Sequence, residues 1–544
     1  MLKRVFTLAL ATLVLAGCGK KNAATPSSHG KTAPQTARQV LNLGNGAEPQ
    51  DIDPQAITGE PDIKVAGALF EGLASEDPKD LHPVPGLAKS WDISADGTVY
   101  TFHLRENARW SNGDPITVDD YLGSYQRMLT PSFAAEYAYM LYDYIQGARE
   151  FYDGKTTDFA TVGVKALGPY TLQVTLKHST PYLLKIIASH CAWTPVPVKV
   201  LARHGALTRK STPWTRPENI VSSGPFILKE WRPGQRIVVV RNPNYWDASA
   251  VKLDEIHFHP IDHQSTEEKM FRTGQLDITL ELPQGKIDTY RKEYPASLQT
   301  NELLTIYFYT FNVTRPPLND KRVRRALALA IDRESLVKNV TRGGQRPAYA
   351  LNFGGIAGYS PAAHLSGTLA EAKRLLAEAG YPDGKNCPVI ELLYNTSENH
   401  RAIAEAVQAM WRKNLGVEIR LVNQEWKVFL DMVHTKNFSM ARYSWGADYV
   451  DPHAFLEIWP SDSGNNNTNW ANPEFDSLLK QALAARTEQE RFGIYQKMDA
   501  ILVDELPAIP IYYYTRPRAV NQKVKGFYPT PLDHHPYKYI YLEN

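Results

Sequence analysis

The chain has 544 residues, of which 43% are hydrophobic and 22% charged; this is enough apolar material for several cores and excludes a disordered or fibrous protein. At about 150 residues per domain, the length predicts about three to four domains. The 60 basic and 58 acidic residues leave a net charge of +2. So small a charge gives no long-range field to attract nucleic acid or an anionic membrane surface, and neither is expected as a partner.

The N-terminal segment predicts the compartment. A short basic start is followed by an apolar run at residues 5–16, which has the length of a signal-peptide core rather than of a membrane span. The run ends in Leu-Ala-Gly-Cys at residues 15–18, which resembles the bacterial lipobox. We therefore expect a lipoprotein signal peptide at residues 1–17, a lipid on Cys18 and a flexible tether over residues 18–38. The body would be exported and lipid-anchored on the periplasmic or extracellular side of a bacterial membrane, and no later segment is apolar enough to span that membrane.

Beyond the tether, strand and helix patterns alternate along the chain. Apolar–polar alternation and short β-branched runs predict strands at residues 100–104, 171–176, 236–240, 305–312 and 417–422. Helical spacing with start and stop signals predicts helices at residues 320–340, 369–379 and 399–415. Domain joins are expected near residues 295–300 and near residue 515. The class is mixed α/β with more than one sheet.

Motifs of catalysis are nearly absent from the sequence. There is no His-Glu-x-x-His, Gly-x-Ser-x-Gly, Cys-x-x-Cys or phosphate-binding glycine loop. Ser335 and Lys338 have the spacing of a Ser-x-x-Lys motif, but no Lys-Thr-Gly accompanies them and a solvated helix face is favoured. His257, His259 and His263 form the densest imidazole group, and the first two would share one strand face. A pair without metal is favoured there, so no metal, no cofactor and no enzymatic activity are expected.

Three cysteines occur in the whole chain, at Cys18, Cys191 and Cys387. This number excludes a disulfide scaffold and a cysteine-based zinc site. Whether Cys191 and Cys387 pair stays open, because the sequence does not show whether their sulfurs meet.

Several long motifs occur in order along the chain. Residues 85–121 contain Ala-x-Ser-Trp, then Tyr-Thr-Phe-x-Leu-Arg and Trp-Ser-Asn-Gly-x-Pro. Ser-Gly-Pro-Phe follows at residues 223–226, Asn-Pro-Asn-Tyr-Trp at residues 242–246 and Leu-Tyr-Asn-Thr-Ser at residues 393–397. With these motifs, residues 39–544 resemble the solute-binding proteins of family 5, in particular the oligopeptide-binding branch that serves ABC transporters.

The resemblance implies a two-lobed periplasmic-binding-protein fold of the α/β class, type II-like, with the three-domain architecture of family 5. A ligand cleft would lie between the lobes and close over the ligand. The expected parts are a core of the first lobe, an extra subdomain of that lobe and a second lobe. The core of the first lobe would comprise residues 39–70, 201–295 and 516–544. The extra subdomain would comprise residues 71–200, and the second lobe residues 296–515.

The same resemblance assigns ligand contacts in residues 400–448. Asp448 matches the aspartate that pairs with the α-ammonium group of a peptide, which is chemically sensible because a buried carboxylate is stable only beside a cation. Trp426 and Trp445 match tryptophans that line side-chain pockets. Arg442 matches an arginine placed for the peptide carboxylate, which its planar fork can hold bidentately. His400 matches a histidine near the C-terminus of longer peptides.

Further contacts are expected from side chains and backbone on both lobes. Tyr137 falls where the family places a tyrosine against the ligand, and Tyr514 is carried over from a run of three tyrosines. Ser444 and Gly446 would lend backbone groups, so that the peptide binds like an added strand. Val433 stands where some relatives have a second arginine, which leaves the preferred peptide length open. Gly446 stands where some relatives have a cysteine, so a bridge seen in those relatives is not expected here.

The function implied is capture of short peptides and delivery to ABC transporter permease subunits by a protein expected to be a monomer. Its membrane contact would be the N-terminal lipid. Alternatives with the same fold are binding of dipeptides, murein peptides or another solute, and a peptide sensor or chaperone without transport. A carboxylate at Asp448 argues against sugars and metal chelates, which bring no α-ammonium group.

Overall fold

The computed structural model describes residues 38–356 and 358–543. The predicted signal peptide, Cys18 and the tether up to residue 37 lie outside the described residues. Three sheets of four or more strands organise the described chain. We call them the N-terminal sheet, the small sheet and the large sheet. None of the described helices is both long enough and apolar enough to cross a membrane.

The N-terminal sheet has four strands. Its spatial order is Val40–Gly44, Glu255–His259, Arg236–Arg241 and Phe226–Arg232. The first pair is parallel and the others are antiparallel. The accompanying helices are Glu60–Leu69, Val198–Arg203, Gln264–Arg272 and Ile287–Glu293.

The small sheet is antiparallel throughout and has the order Ala88–Ile93, Val99–Leu104, Thr171–Thr175 and Val164–Gly168. Alternate residues of its second strand, Tyr100, Phe102 and Leu104, are buried, as the period of two requires. Its helices are Val118–Leu129, Tyr139–Tyr142, Ala148–Tyr152 and Leu183–Ser189. Two short hairpin-like pairs lie elsewhere, Ala74–Glu76 with Pro83–Pro85 and Val524–Lys525 with Tyr541–Leu542.

The large sheet has six strands. Their order is Arg346–Pro347, Ala508–Ala519, Leu298–Phe311, Met440–Gly446, Ile390–Asn395 and Ile419–Gln424. The last three are mutually parallel and the other pairs are antiparallel. The helices of this part are Lys321–Leu329, Arg333–Ser335, Leu369–Glu378, Glu398–Leu415, Trp426–His434, Pro473–Ala484 and Glu488–Glu505.

The two longest strands, Leu298–Phe311 and Ala508–Ala519, connect the large sheet with the region of the N-terminal sheet. Ala519 exchanges hydrogen bonds with Thr279, which follows the strands of the N-terminal sheet in the chain. The joins expected near residues 295–300 and 515 fall on these strands. The domain boundaries drawn from the sequence stay a prediction.

The strands expected from the sequence are all present. Four have ends within two residues of the expected ones, whereas the strand expected over residues 305–312 begins earlier, at Leu298. The single helix expected over residues 320–340 is instead two helical segments, Lys321–Leu329 and residues 333–341, of which Leu336–Thr341 is a π-helix. The helix Lys321–Leu329 ends, and the side chain of Asp332 then accepts the backbone N–H of Ser335 and starts a new turn. Arg333 is buried there and donates to the carbonyl of Pro510. The buried guanidinium group of Arg333 thus stabilises the interruption between the two helical segments.

The cysteine and histidine groups singled out in the sequence can now be placed. Cys191 and Cys387 are free thiols. His257 Nε2 lies 3.0 Å from Glu255 Oε2 and His259 Nε2 lies 3.2 Å from Asn42 Oδ1. Each of these two imidazoles therefore has its own hydrogen-bonding partner.

Candidate functional site

One strand of the large sheet has a free edge. Met440–Gly446 pairs along its length with Leu298–Phe311. On its other side it pairs with Ile390–Asn395 only at Met440 and Ala441. Within the described residues, the rest of that edge has no strand partner.

The backbone groups on this free edge can be identified by alternation. The N–H of Ala447 donates to the carbonyl of Leu304 at 2.7 Å, so the odd-numbered residues direct their backbone groups to that neighbouring strand. The N–H and C=O groups of Ser444 and Gly446 therefore face the free edge. An extended chain laid along this edge would find donors and acceptors at a spacing of two residues.

Asp448 follows the strand and is buried without a salt bridge to lysine or arginine in the described part of the chain. Its carboxylate is 12% exposed, Oδ1 lies 3.8 Å from Nε2 of His190, and Oδ2 has no hydrogen-bond partner. Burial raises the pKa of Asp448 to about 7, against the opposing charge of His534. Ionising this carboxyl group therefore costs more free energy than it does in water, because no lysine or arginine in the described chain compensates its charge.

Aromatic rings pack around His190, the neighbour of the Asp448 carboxylate. The ring of Tyr137 lies 4.2 Å from that of His190 and 6.3 Å from that of Trp445. Trp445 is on the opposite strand face from Arg442 and anchors its Nε1–H on the carbonyl of Ala454 at 2.6 Å. These rings form a rigid apolar wall from the small sheet and the large sheet together.

Trp426 lies at the start of the helix Trp426–His434 and stacks on Phe429 with 5.8 Å between centroids. Its Nε1–H is buried and has no partner. A Cβ on Gly59 would come within 3.1 Å of its Cζ2 atom, so glycine permits this close approach. Trp426 thus connects the large-sheet region with the helix Glu60–Leu69 of the N-terminal region.

Arg442 is buried at the other end of the free edge and has several internal partners. It donates to the Tyr514 hydroxyl at 2.7 Å, to Ser444 Oγ at 3.2 Å and to Asn395 Oδ1 at 3.3 Å. Its guanidinium carbon lies 4.9 Å from the centre of the Tyr307 ring. Its Nε–H is the donor that has no partner.

His400 is held near Arg442 by the start of the helix Glu398–Leu415. Its backbone N–H donates to Ser397 Oγ, the capping group of this helix. The imidazole lies 5.7 Å from the Tyr307 ring and its Nδ1 has no partner. Burial and the charge of Arg442 hold the pKa of His400 well below its usual range, so the ring is neutral.

Six of the nine predicted residues fall into two groups; Ser444 and Gly446 lie on the free edge, and Trp426 packs separately against Gly59 and Phe429. Asp448, Tyr137 and Trp445 meet at one end of the free edge, and Arg442, His400 and Tyr514 meet at the other. A cavity of about 170 Å³ lies next to the first group and is lined by His190, Cys191 and His534. A ligand with a cation at one end and an extended backbone would match this arrangement.

A family model for bacterial extracellular solute-binding proteins, family 5, matches residues 82–467. The chain belongs to this family. The Escherichia coli (strain K12) periplasmic oligopeptide-binding protein OppA is 38% identical over 506 residues, which cover 90% of each chain.

Solved structures of family 5 proteins have the same fold. Haemophilus influenzae OppA in complex with the peptide RPPGFSPFR superimposes with a TM-score of 0.87 at 33% identity, over 93% of this chain and 99% of that chain. The E. coli murein tripeptide-binding protein MppA gives 0.87 at 34% identity over 93% and 99% of the two chains. An unliganded open form of MppA gives 0.62 over 93% and 98%, also at 34% identity. The arrangement of this chain therefore differs from that open form, and the two-lobed α/β fold expected for the family is confirmed.

Sequence reasoning missed several residues of the site in this family 5 chain. Tyr307 lies in a strand that the alternation predicted, and Asn395 lies in a quoted motif, so both carried a local signal. His190 carried none, because its approach to Asp448 depends on how the small-sheet region packs against the large sheet.

Proposed function

We propose that this chain captures short peptides with a free N-terminus in the cleft and delivers them to an ABC transporter permease. The proposal rests on the combination of two neighbouring features: a strand edge without a strand partner, and an Asp448 carboxylate without a lysine or arginine partner in the described part of the chain. The edge supports backbone recognition, which is insensitive to side chains. The carboxylate supports selection of a cation at one fixed point.

The relatives favour the same cargo. OppA of H. influenzae has been solved with a nine-residue peptide, and MppA is named for murein tripeptides. Both kinds of cargo are peptides. We assign peptides to this chain because the free edge offers backbone groups at Ser444 and Gly446.

Binding is coupled to closure of the two lobes in this proposal. Trp426 contacts Gly59, and Tyr137 lies close to Trp445, so the large-sheet region contacts both the N-terminal region and the small-sheet region. Enclosure removes water and strengthens the interaction between Asp448 and an ammonium group. The closed form would then be the one that a permease recognises.

We also propose that Cys18 anchors the protein on the outer side of a bacterial membrane by a lipid. The support is the Leu-Ala-Gly-Cys motif and the polar stretch after it. Replacement of Cys18 by Ser should abolish labelling with a radioactive fatty acid and release the protein from membranes. Unchanged labelling would contradict the anchor.

The deciding experiment is calorimetry with peptides of two to five residues, each tested with a free and with an acetylated N-terminus. The protein is first unfolded and refolded to remove bound ligand. Binding of free peptides that falls by at least about 30-fold on acetylation, a little over 2 kcal/mol, is the expected result. Equal affinity for both forms would overturn the role of Asp448. Binding of murein tripeptide alone would narrow the cargo, and no binding of any peptide would refute the proposal.

A further inference from the structure

His190 lies between the helix Leu183–Ser189 and the turn Cys191–Trp193, and its side chain is buried. Its Nδ1 accepts the backbone N–H of Ala192 at 3.1 Å. A ring nitrogen that accepts a backbone N–H carries no proton itself. The proton of the neutral imidazole is therefore on Nε2.

That Nε2–H has no hydrogen-bond partner. It lies 3.8 Å from Oδ1 of Asp448, whose Oδ2 is also without a partner. The Tyr137 ring, 4.2 Å from the imidazole, fixes the plane of the ring. The buried Nε2–H donor thus lies about one ångström beyond hydrogen-bonding distance of Oδ1, in a carboxylate whose other oxygen is also without a partner.

We propose that His190 is a positioning residue, which as a neutral Nε2–H donor orients the Asp448 carboxylate and leaves its negative charge for the α-ammonium group of a ligand. The proposal rests on the proposed function. A lysine or arginine at this place would form a permanent ion pair with Asp448, and a ligand would have to break that pair. A neutral donor contributes a hydrogen bond without competing for the charge.

Two observations keep His190 neutral. Burial lowers its pKa to about 3, and the bond from Ala192 occupies the nitrogen that a second proton would need. The titratable groups that interact electrostatically with Asp448 from the surrounding elements are Tyr137, Tyr139, Cys191, Tyr443, Glu457 and His534.

Of these groups, His534 is the one that can become a cation. Its Nδ1 lies 3.0 Å from Glu76 Oε2. The charge of Glu76 raises the pKa of His534 against the effect of burial. His534 therefore already has a carboxylate of its own, which reduces its competition for Asp448.

The first test is direct observation of the His190 ring by NMR of the full-length protein with ¹⁵N-labelled histidine. The His190→Phe variant identifies the signal. The expected result is a neutral ring with its proton on Nε2 from pH 5 to pH 8. A charged ring, or a proton on Nδ1, would overturn the proposal whether or not any peptide binds.

The second test compares His190→Phe with His190→Gln, whose amide N–H can take the place of Nε2–H. Calorimetry with a free-amine tripeptide at several pH values should show affinity for the Phe variant reduced about 10-fold or more, as expected for a hydrogen bond to a charged group. The midpoint of the pH dependence should move upward, since the ionised form of Asp448 has lost a donor. The Gln variant should retain most of the affinity and the original midpoint.

The outcomes separate this inference from the proposed function. A Phe variant that loses affinity without a shift of the midpoint, or a Gln variant that behaves like the Phe variant, would reduce His190 to a packing residue. Wild-type protein that binds acetylated and free peptides equally would instead overturn the proposed function. In that case, ¹³C titration of the Asp448 carboxyl group in wild-type and His190→Phe protein still decides whether His190 donates to it.

Discussion

The two ends of the cleft differ in how completely the protein satisfies its own charged groups. Arg442 already donates to Tyr514, Ser444 and Asn395. Among residues 38–356 and 358–543, Asp448 finds no hydrogen-bond partner for Oδ2, and only His190 lies within 4 Å of its carboxylate as an ion-pair candidate. The difference indicates that the Asp448 end lacks a cationic partner within the described residues, whereas the Arg442 end is largely satisfied and keeps one unpaired donor, the Nε–H of Arg442.

This asymmetry fits a protein that accepts peptides of several lengths. The N-terminus of a peptide is always the same group, so a single unsatisfied carboxylate can fix it. The C-terminus moves with length, and a stable cation such as Arg442 can attract it from different distances. A site that fixed both the N-terminus and the C-terminus of the peptide would accept peptides of one length.

The largest expected effect is that of Asp448→Asn on peptides with a free N-terminus. Loss of one partner from a buried, hydrogen-bonded charge pair should weaken their binding by about 2–5 kcal/mol. Acetylated peptides bring no ammonium group and should bind the variant and the wild type alike. Calorimetry with matched free and acetylated peptides measures both.

Asp504→Asn is the matched control for this change. Asp504 is exposed and pairs with Lys321 at the surface, so its loss should leave affinity unchanged. An Asp448→Asn variant that loses no more affinity for free peptides than this control would contradict the asymmetry.

The pH dependence of binding is the second prediction. The pKa of Asp448 is raised to about 7 by burial, so its carboxylate is lost as the pH falls through 7 and affinity should fall with it. The amino group of a peptide, with a pKa of about 8, loses its charge as the pH rises further. Affinity for free-amine peptides should therefore be greatest between about pH 7 and pH 8. Calorimetry across pH 5–9 measures this dependence. An affinity that does not change with pH would show that Asp448 does not bind the ammonium group.

The same raised pKa has a consequence for the ligand-free protein. The folded state binds a proton at Asp448 over the range from its ordinary value of 3.8 to about 7, where the unfolded state does not. The contribution of this group to stability therefore falls as the pH rises through that range. Asp448→Asn should remove this trend, which thermal unfolding at pH 5 and pH 8 would measure.

Arg442→Gln should weaken peptide binding less than Asp448→Asn does. Its effect should be confined to recognition of the C-terminal end of the peptide. Loss of Arg442 should weaken binding of peptides with a free carboxylate by about 1.5–3 kcal/mol, the range for hydrogen bonds to charged groups. Peptides with an amidated C-terminus should lose less. If acetylation and amidation cost the same in wild-type protein, the two ends are equivalent and the comparison fails.

Much of this organisation could be predicted from local sequence. The strand Val99–Leu104 follows from strict alternation and the helix Glu398–Leu415 from its start and stop signals, because these depend on neighbours in the chain. The binding role of Asp448 stays a prediction, which depends on the resemblance of its surrounding motif and not on any local periodicity.

Other features depend on contacts between distant segments. The break before Arg333 is stabilised by the carbonyl of Pro510, far along the chain. The approach of His190 to Asp448 depends on the packing of two separate regions. The unpaired edge beyond Ala441 depends on where the strand Ile390–Asn395 diverges. No periodicity in the sequence encodes such geometry, since each involves a partner that local patterns do not specify.

The contacts between the two regions that enclose the cleft include a reciprocal pair of helix caps. The helix Gln264–Arg272 has no side-chain cap of its own. Glu398 Oε2 accepts the N–H of Ser265 at 3.1 Å and its hydroxyl at 2.6 Å. In return, Gln264 Oε1 accepts the N–H of Glu398 at 3.1 Å, and Gln264 Nε2 donates to Ser397 Oγ at 2.9 Å. Each helix N-terminus is thus satisfied by a side chain from the other.

Glu398→Gln should have the smallest effect, and it should act on closure rather than on either end of the ligand. The neutral amide is a weaker acceptor for Ser265, and the favourable interaction of the carboxylate with the helix N-terminus is lost. We expect about 0.5–1.5 kcal/mol weaker binding, seen mainly as faster dissociation in stopped-flow measurements.

Glu405→Gln on the same helix is the control, because Glu405 is exposed and pairs with Arg401. Since Glu398 touches neither Asp448 nor Arg442, its effect should be the same for free, acetylated and amidated peptides. An effect on one class of peptide alone would show that closure and end recognition are not separate.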